Sequence, residues 1–152
     1  MRLKIDLIPE SCFYKNVRSN VTKQEWDIIR KRVYKESNYV CSICEGSGLE
    51  QGFKHPVECH EIFEYNLETL TQTLVSFESI CPMCHKVHHI GLSGIQGFYN
   101  ACIKHFCKVN NCTMKDWKKH EEESWNSWKE RSKYSWKLNI DLLKDYLGEQ
   151  TK

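Results

Sequence analysis

The segment CPMCHKVHH, residues 81–89, decides the fold because it joins a pair of cysteines to three closely spaced histidines. A second pair with the same spacing, CSIC, occupies residues 41–44, and 36 residues separate the two pairs. A Cys-x-x-Cys turn presents two thiolates to one ion, and two such turns complete the tetrahedral site, with bonds of about 2.3 Å, that structural zinc prefers. We therefore predict a structural zinc ion. Its predicted ligands are Cys41, Cys44, Cys81 and Cys84.

The residues between the two cysteine pairs form an insertion that is longer than the usual spacing of a zinc ribbon. Residues 57–64 and 74–80 are strand candidates, and residues 85–89 are typical of a short helix. Between residues 55 and 80 the insertion carries five carboxylates and no Lys or Arg. Such a segment would repel phosphate unless a cation were bound there. We place the zinc-containing core at residues 39–91.

The histidines of this core are candidates for a second metal site. His85 and His89 are four residues apart, so a helix would bring both imidazoles to one face, one turn apart. A strand that carries His60 opposite this helix would add a third imidazole, and one imidazole could stay unligated and act as a base. The alternative is that these histidines lie on the surface of a zinc-ribbon helix and bind nothing.

A helix is predicted upstream of the core, over residues 22–37, because Thr22 and Glu25 form a capping-box pattern. The segment is locally basic, and two interpretations stay open. Its positive side chains could contact nucleic-acid phosphates, or they could form an ordinary solvated helix face. In the first interpretation, the candidate nucleic-acid contacts are Arg30, Lys31 and Arg32.

The remaining segments are predicted to be helical or to close the domain. Residues 93–131 have apolar side chains at helical spacing, with a break predicted at Asn110. Residues 1–8 and 134–141 both alternate apolar and polar side chains, and we expect them to pair as strands. The chain, residues 1–152, is then one α+β domain with a small zinc-stabilised core, flanking helices and a terminal strand pair.

Composition and cysteine usage exclude several classes of protein. The chain has 40% hydrophobic and 28% charged residues, which is ordinary for a globular protein, and its net charge of +2 argues neither for nor against a nucleic-acid partner. No apolar run approaches the ~18 residues that a membrane helix needs. The cysteine count of nine is odd, and the first residues lack the apolar segment of a secretory signal. We therefore expect a cytoplasmic protein in a reducing compartment, without a membrane partner.

The order of these motifs resembles the zinc-bound branch of the HNH endonuclease family. The resemblance depends on Cys-x-x-Cys at 41–44, Glu-Cys-His-Glu at 58–61 and Cys-Pro-x-Cys-His-x-x-x-His at 81–89. It covers about a third of the chain, and a weaker likeness to a subgroup of uncharacterised HNH proteins extends over nearly all of it. The resemblance implies a ββα-metal fold, in which a hairpin and a helix hold one catalytic divalent ion. It also implies metal-dependent hydrolysis of DNA phosphodiester bonds.

The same resemblance implies roles for individual residues. His60 would be the general base that takes a proton from the attacking water, and His85 and His89 would ligate the catalytic ion, which could be Mg²⁺, Mn²⁺ or Zn²⁺. Cys59 stands where the family usually has an Asp or His ligand, and a soft thiolate there would favour zinc over magnesium. In a different register His60 is the ligand and Glu61 is the base, and both assignments stay open.

One position departs from the family's pattern. The Asn that orients the base normally lies about five residues before Cys81, and this chain has Ser76 there. Two functions are therefore expected from the sequence. The first is an HNH-type metal-dependent endonuclease that acts on DNA. The second is a catalytically inactive HNH-like zinc module that binds nucleic acid or a protein. The sequence does not indicate an oligomeric state.

Overall fold

The computed structural model describes residues 1–148 of the chain, which fold as a three-stranded sheet with helices packed against it. This architecture confirms the predicted α+β class. The helices and strands are α1 (Lys23–Glu36), β1 (Glu58–Asn66), β2 (Thr71–Ile80), α2 (Pro82–His88), α3 (Ile90–Ile95), α4 (Tyr99–Asn110), α5 (Met114–Arg131), β3 (Lys137–Asn139) and α6 (Lys144–Leu147).

The first two strands form the antiparallel hairpin that positions the candidate site. Both coincide with the strand candidates in the insertion, and His60 on β1 lies directly opposite Glu78 on β2. Side chains alternate between the two faces of a sheet along each strand. Glu58 and His60 therefore share one face of the hairpin, whereas Cys59 and Glu61 lie on the other.

Helix α2 starts immediately after β2, so the elements follow one another in the order strand, strand, helix. Cys81 is the N-cap of α2, and Pro82 occupies the first turn, where a missing N–H leaves no helical hydrogen bond unmade. The loop at residues 41–56 packs closely on this helix start. A Cβ atom on Gly48 would collide with the carbonyl oxygen of His55 and lie 2.7 Å from the ring of Pro82, so this close approach requires glycine.

Two clusters of buried side chains lie on either side of the hairpin. One joins the cysteine pairs to α2, α4 and α5, and it contains the fully buried side chains of Phe106 and Trp117. The other packs α1, through Ile29 and Val33, against Phe63 of β1 and against the C-terminal helix. The hairpin is thus held from both faces, which fixes the position of β1 relative to α2.

The helical extension predicted over residues 93–131 comprises the end of α3 and the whole of α4 and α5. Helix α4 ends at Asn110, as expected, and Asn111 takes a left-handed conformation with φ of 50°. Helix α5 begins at a capping box in which Thr113 and Asp116 bond each other's backbone N–H groups. The same arrangement, between Thr22 and Glu25, begins α1.

Among the described helices, none combines the length and the apolar character that a membrane crossing requires.

The predicted pairing of the two terminal segments is wrong. Residues 137–139 do form a strand, β3, but it pairs in parallel with residues 71–73 of β2. Residues 1–8 form no strand. Leu3 and Ile5 are buried among the helices, and side chains of those helices, not a neighbouring strand, make the hydrogen bonds to their backbone. Asn110 bonds both the N–H and the C=O of Leu3, and His120 accepts the N–H of Ile5. This path brings the N-terminal segment alongside α2.

Candidate metal centres

The four predicted zinc ligands come together and form a group that could hold a metal ion. Cys41 and Cys44 come from the loop that follows α1, and Cys81 and Cys84 come from the start of α2. All four sulfur atoms lie within 4.8 Å of one another, and the Sγ atoms of Cys44 and Cys81 are 3.6 Å apart. Sulfurs at the corners of a tetrahedron with bonds of about 2.3 Å are separated by similar distances. The donor set and its spacing therefore fit zinc.

Backbone N–H groups stabilise negative charge on these sulfurs. The N–H of Cys44 donates to Cys41 Sγ, that of Gly46 donates to Cys44 Sγ, and that of Cys84 donates to Cys81 Sγ, each over 3.4 Å. A hydrogen bond from Cys44 lowers the pKa of Cys41 to about 6, whereas hydrogen bonds with Cys41 raise the pKa of Cys44 and of Cys84. Thiolates are the form that binds metal, and the backbone N–H groups favour that form at Cys41, Cys44 and Cys81.

Two further side chains contact the sulfurs, and the sequence alone did not single them out. The Nε2 atom of His105, on α4, lies 3.2 Å from Cys84 Sγ, and the side-chain amide of Gln51 donates to Cys81 Sγ over 3.2 Å. Both residues are more than 20 positions away from the sulfur that they contact. No local spacing signal links them to the cysteines, and only the packing of α4 and the loop onto α2 reveals the contacts.

The second candidate centre contains His60, His85 and His89. One nitrogen of each imidazole lies within 4.8 Å of the others, and the ring of His60 is 5.3 Å from each of the other two rings. The juxtaposition of β1 and α2 that the sequence predicted is thus present. His60 is only 2% exposed, whereas the side chain of His85 is 23% exposed at the mouth of the site. Three convergent imidazoles are a donor set suited to zinc or another first-row divalent ion.

Carboxylates orient two of these imidazoles. Glu58 Oε1 lies 2.8 Å from His85 Nδ1, and its Oε2 lies 2.7 Å from Nε2 of His55. Burial alone would raise the pKa of Glu58, but the hydrogen bonds from His85 and His55 lower it to about 2. Asp6 Oδ2 lies 2.9 Å from His60 Nε2. Carboxylates that accept the second N–H of an imidazole fix its tautomer and ring orientation in metal sites.

The buried histidines are held in the neutral form. Burial and the nearby ring of His85 lower the pKa of His60 to about 3 and that of His89 to about 3. A neutral imidazole keeps one nitrogen lone pair, which is what a metal ion needs. The protein matrix therefore favours the ligating form of both side chains at neutral pH.

Cys59 and Glu61 do not join this centre. Cys59 packs in the cluster that contains Ile29 of α1, and burial raises the pKa of its thiol to about 12. Glu61 accepts the backbone N–H groups of Val17 and Arg18. Both residues are displaced from the histidines because alternate residues of β1 point to opposite faces of the hairpin. Neither side chain therefore belongs to the group of three imidazoles, although Cys59 lines the neighbouring cleft.

The three basic residues singled out on α1 point in different directions, since consecutive residues of a helix are rotated by about 100°. Arg30 lines a cleft beside the histidines, where its Nε donates to Asp27 over 2.8 Å. Lys31 is exposed outside that cleft. Arg32 lies over the ring of Tyr146 and donates to the backbone of Asp145, so it holds α6.

The cleft itself has a volume of about 770 Å³ and connects α1 to the histidine centre. On one wall it carries the positive side chains of Arg18, Lys23 and Arg30. On the other wall it carries Glu58, His55 and His85. The sequence named only Arg30 and His85 of this set as site residues. Arg18 and Lys23 were counted only as part of a basic segment, Glu58 only as part of a motif, and His55 belongs to no spaced motif.

Comparison with known proteins adds no relative: the sequence matches no family model, and neither curated proteins nor solved structures give a match. The functional argument therefore depends on the geometry of the two centres and the cleft.

Proposed function

We propose that the protein is a metal-dependent endonuclease of HNH type that hydrolyses DNA phosphodiester bonds. One observation carries the proposal: the hairpin and α2 bring His60, His85 and His89 together, and His85 also lines a cleft with a basic wall. The ligands in this proposal are those three imidazoles, so His60 takes the ligand role that the sequence left open. A divalent ion bound there would polarise the scissile phosphate and stabilise the leaving oxygen.

The protein's own carboxylates prepare these ligands. Glu58 fixes His85 with Nδ1 protonated, so Nε2 is the atom available to a metal. Asp6 orients His60 through a hydrogen bond to its Nε2 atom. Ser76 lies on β2 opposite Ile62, and the hydrogen bond to His60 comes from Asp6 instead. The imidazole of His60 is therefore oriented without the family's Asn.

His55 is the residue that we assign as general base. Its side chain is 48% exposed and lines the cleft, so a water molecule can reach it. Its Nε2 contacts Glu58 over 2.7 Å, and the same carboxylate orients His85, so the base and a metal ligand are held in fixed relation. His60 is enclosed by other imidazoles and only 2% exposed, which argues against a direct proton transfer from bulk water to it.

The charges that line the cleft suit a polyanionic substrate. Arg18, Lys23 and Arg30 offer three positive charges along one wall, where Asp27, paired with Arg30, is the one carboxylate among the described residues. Trp26 beside them offers a flat surface for a sugar or a base. The opposite wall carries the ionised Glu58, which would repel phosphate unless a cation were present. A metal ion at the histidines would reverse that local charge and let the phosphate approach.

Incubation with supercoiled plasmid in Mg²⁺, Mn²⁺ or Zn²⁺ tests the proposal. We expect conversion to nicked or linear DNA in at least one metal, and a His89→Ala variant that cuts only at raised metal concentration because a ligand is missing. The matched control is Lys86→Ala, which changes a neighbouring residue of α2 that lies over Phe98 and outside the site. Intact plasmid in every metal, with protein in excess, would contradict nuclease activity.

A non-catalytic zinc module is the second candidate, and the position of Glu61 favours it. Glu61 is tied to the backbone of Val17 and Arg18 on the far face of the hairpin, so one expected catalytic group is lacking. In that case the cleft would still bind nucleic acid or a protein without cutting. Salt-dependent binding of duplex DNA by a protein that leaves plasmid intact would select this candidate.

A further inference from the structure

His88 is the one histidine of α2 that the proposed catalytic centre does not use. Its Nδ1 lies 2.6 Å from the carbonyl oxygen of Lys4, and a carbonyl can only accept, so Nδ1 carries the proton. Its Nε2 atom therefore has a free lone pair. That atom is buried and has no hydrogen-bond partner among the described residues, in a side chain that is 8% exposed. A buried nitrogen without a partner has lost its hydrogen bond to water and gained none, so a partner is expected.

The surroundings of this nitrogen are acidic. Glu78 Oε2 lies 3.9 Å from His88 Nε2, which is too far for a hydrogen bond. Two ligand atoms on one ion with bonds of about 2.1 Å are separated by a comparable distance. Asp6 lies on the same side of the hairpin, and one carboxylate oxygen of Asp6 lies within 4.8 Å of a nitrogen of His60 and of His88. Asp6, which is near both imidazoles, and Glu78, which is 3.9 Å from His88, are therefore the acidic side chains beside this nitrogen.

We propose that Asp6, Glu78 and His88 bind a second divalent metal ion, Zn²⁺ or Mn²⁺, next to the histidine centre. Two carboxylates and one neutral imidazole carry a net charge of −2, which one such ion neutralises. Mixed oxygen and nitrogen donors suit both metals. Asp6 has two oxygens, so it can hold His60 with Oδ2 and offer Oδ1 to the second ion. The two centres are then joined through the Asp6–His60 pair.

The second centre goes beyond the proposed function, because the one-ion site of His60, His85 and His89 would be complete without it. The rings of His60 and His88 stack with centroids 4.4 Å apart and an interplanar angle of 15°. A metal ion bound to each ring would therefore lie close to the other ion. A second ion would add positive charge beside the phosphate site, as in enzymes that use two metals.

Counting metal ions per chain tests the inference without any measurement of cleavage. The full-length reduced protein is loaded with Zn²⁺ or Mn²⁺, freed of excess metal and measured by native mass spectrometry and elemental analysis. We expect three ions in the parent and two in Glu78→Gln, Asp6→Asn and His88→Gln, with at least a tenfold weaker affinity for the lost ion. Glu64→Gln is the matched control, because Glu64 is an exposed carboxylate of the same hairpin.

Loading with Co²⁺ shows whether each variant is correctly folded. Cobalt in the four-cysteine group gives a thiolate charge-transfer absorption, which a correctly folded variant retains. Glu78→Gln and Asp6→Asn keep the shape of the side chain, so they serve even where His88→Gln does not fold. Variants that retain the same number of ions as the parent would overturn the inference. A parent with two ions and variants with one would support the second site and instead count against metal at the catalytic centre.

Discussion

At the scale of single residues, the same device is used three times: an acceptor takes one N–H of an imidazole and leaves the other nitrogen free. Glu58 does this for His85, Asp6 for His60, and the carbonyl of Lys4 for His88. Each acceptor fixes both the tautomer and the direction of the lone pair. The free nitrogens of His60 and His85 lie in the group with His89, whereas that of His88 lies in the neighbouring group with Asp6.

His55 differs from those histidines because it is exposed and lies at the mouth of the cleft. If it is the base, His55→Gln should reduce plasmid cleavage by about 10²–10⁴-fold, the contribution of general-base catalysis. Metal content and DNA affinity should stay unchanged, because His55 belongs to none of the three candidate metal groups. Single-turnover cleavage, metal analysis and binding titration measure the three quantities. Lys54→Gln is the neighbouring control, and cleavage by His55→Gln at the parent's rate would remove His55 from the mechanism.

At the scale of elements, α2 is the structural link between the two centres. Its N-cap and first turn supply Cys81 and Cys84, and its last turn and C-cap supply His85, His88 and His89. The hairpin supplies only one imidazole, but its register sets which residues face that helix. Any movement of α2 would therefore change both centres together. Helix α1 lies across the opposite face of the hairpin and forms the basic wall of the cleft.

Helix α1 offers a matched pair of arginines that tests the proposed DNA contact separately from a structural role. Arg30 lines the cleft and Arg32 holds α6, so only Arg30→Ala should lose a phosphate contact. We expect Arg30→Ala to lower the slope of log K against log[salt] by roughly one unit, and Arg32→Ala to leave it unchanged. Fluorescence anisotropy of a labelled duplex at several salt concentrations measures the slopes. Equal slopes for Arg30→Ala and the parent would mean that this face of α1 is an ordinary solvated surface.

At the scale of the whole molecule, the features predicted from sequence are those with local signals. Spacing revealed the four cysteines, the capping boxes of α1 and α5, and the placement of His85 and His89 on one helix. Asp6 and His105 carry no such signal, since their partners lie 54 and 21 residues away. The ligand position given to Cys59 depended on the register of a strand, where a shift of one residue reverses the face. The predicted pairing of residues 1–8 with residues 134–141 was wrong, because Leu3 and Ile5 are instead buried among the helices.

The four-cysteine group should determine whether the chain folds at all, because it fixes the loop after α1 and the start of α2 to each other. Zinc in comparable sites contributes on the order of 10 kcal/mol. That is about the entire stability of a domain of this size. Cys84→Ser should therefore be insoluble or lack a cooperative thermal transition, and a strong chelator should have the same effect on the parent. Circular dichroism melting measures the thermal transition, and zinc analysis measures the metal content.

Cys112→Ser, a partly exposed cysteine outside the group, is the control and should melt as the parent does. Normal melting of zinc-free protein would mean that the hydrophobic clusters around Trp117 and Ile29 hold α2 against the hairpin unaided.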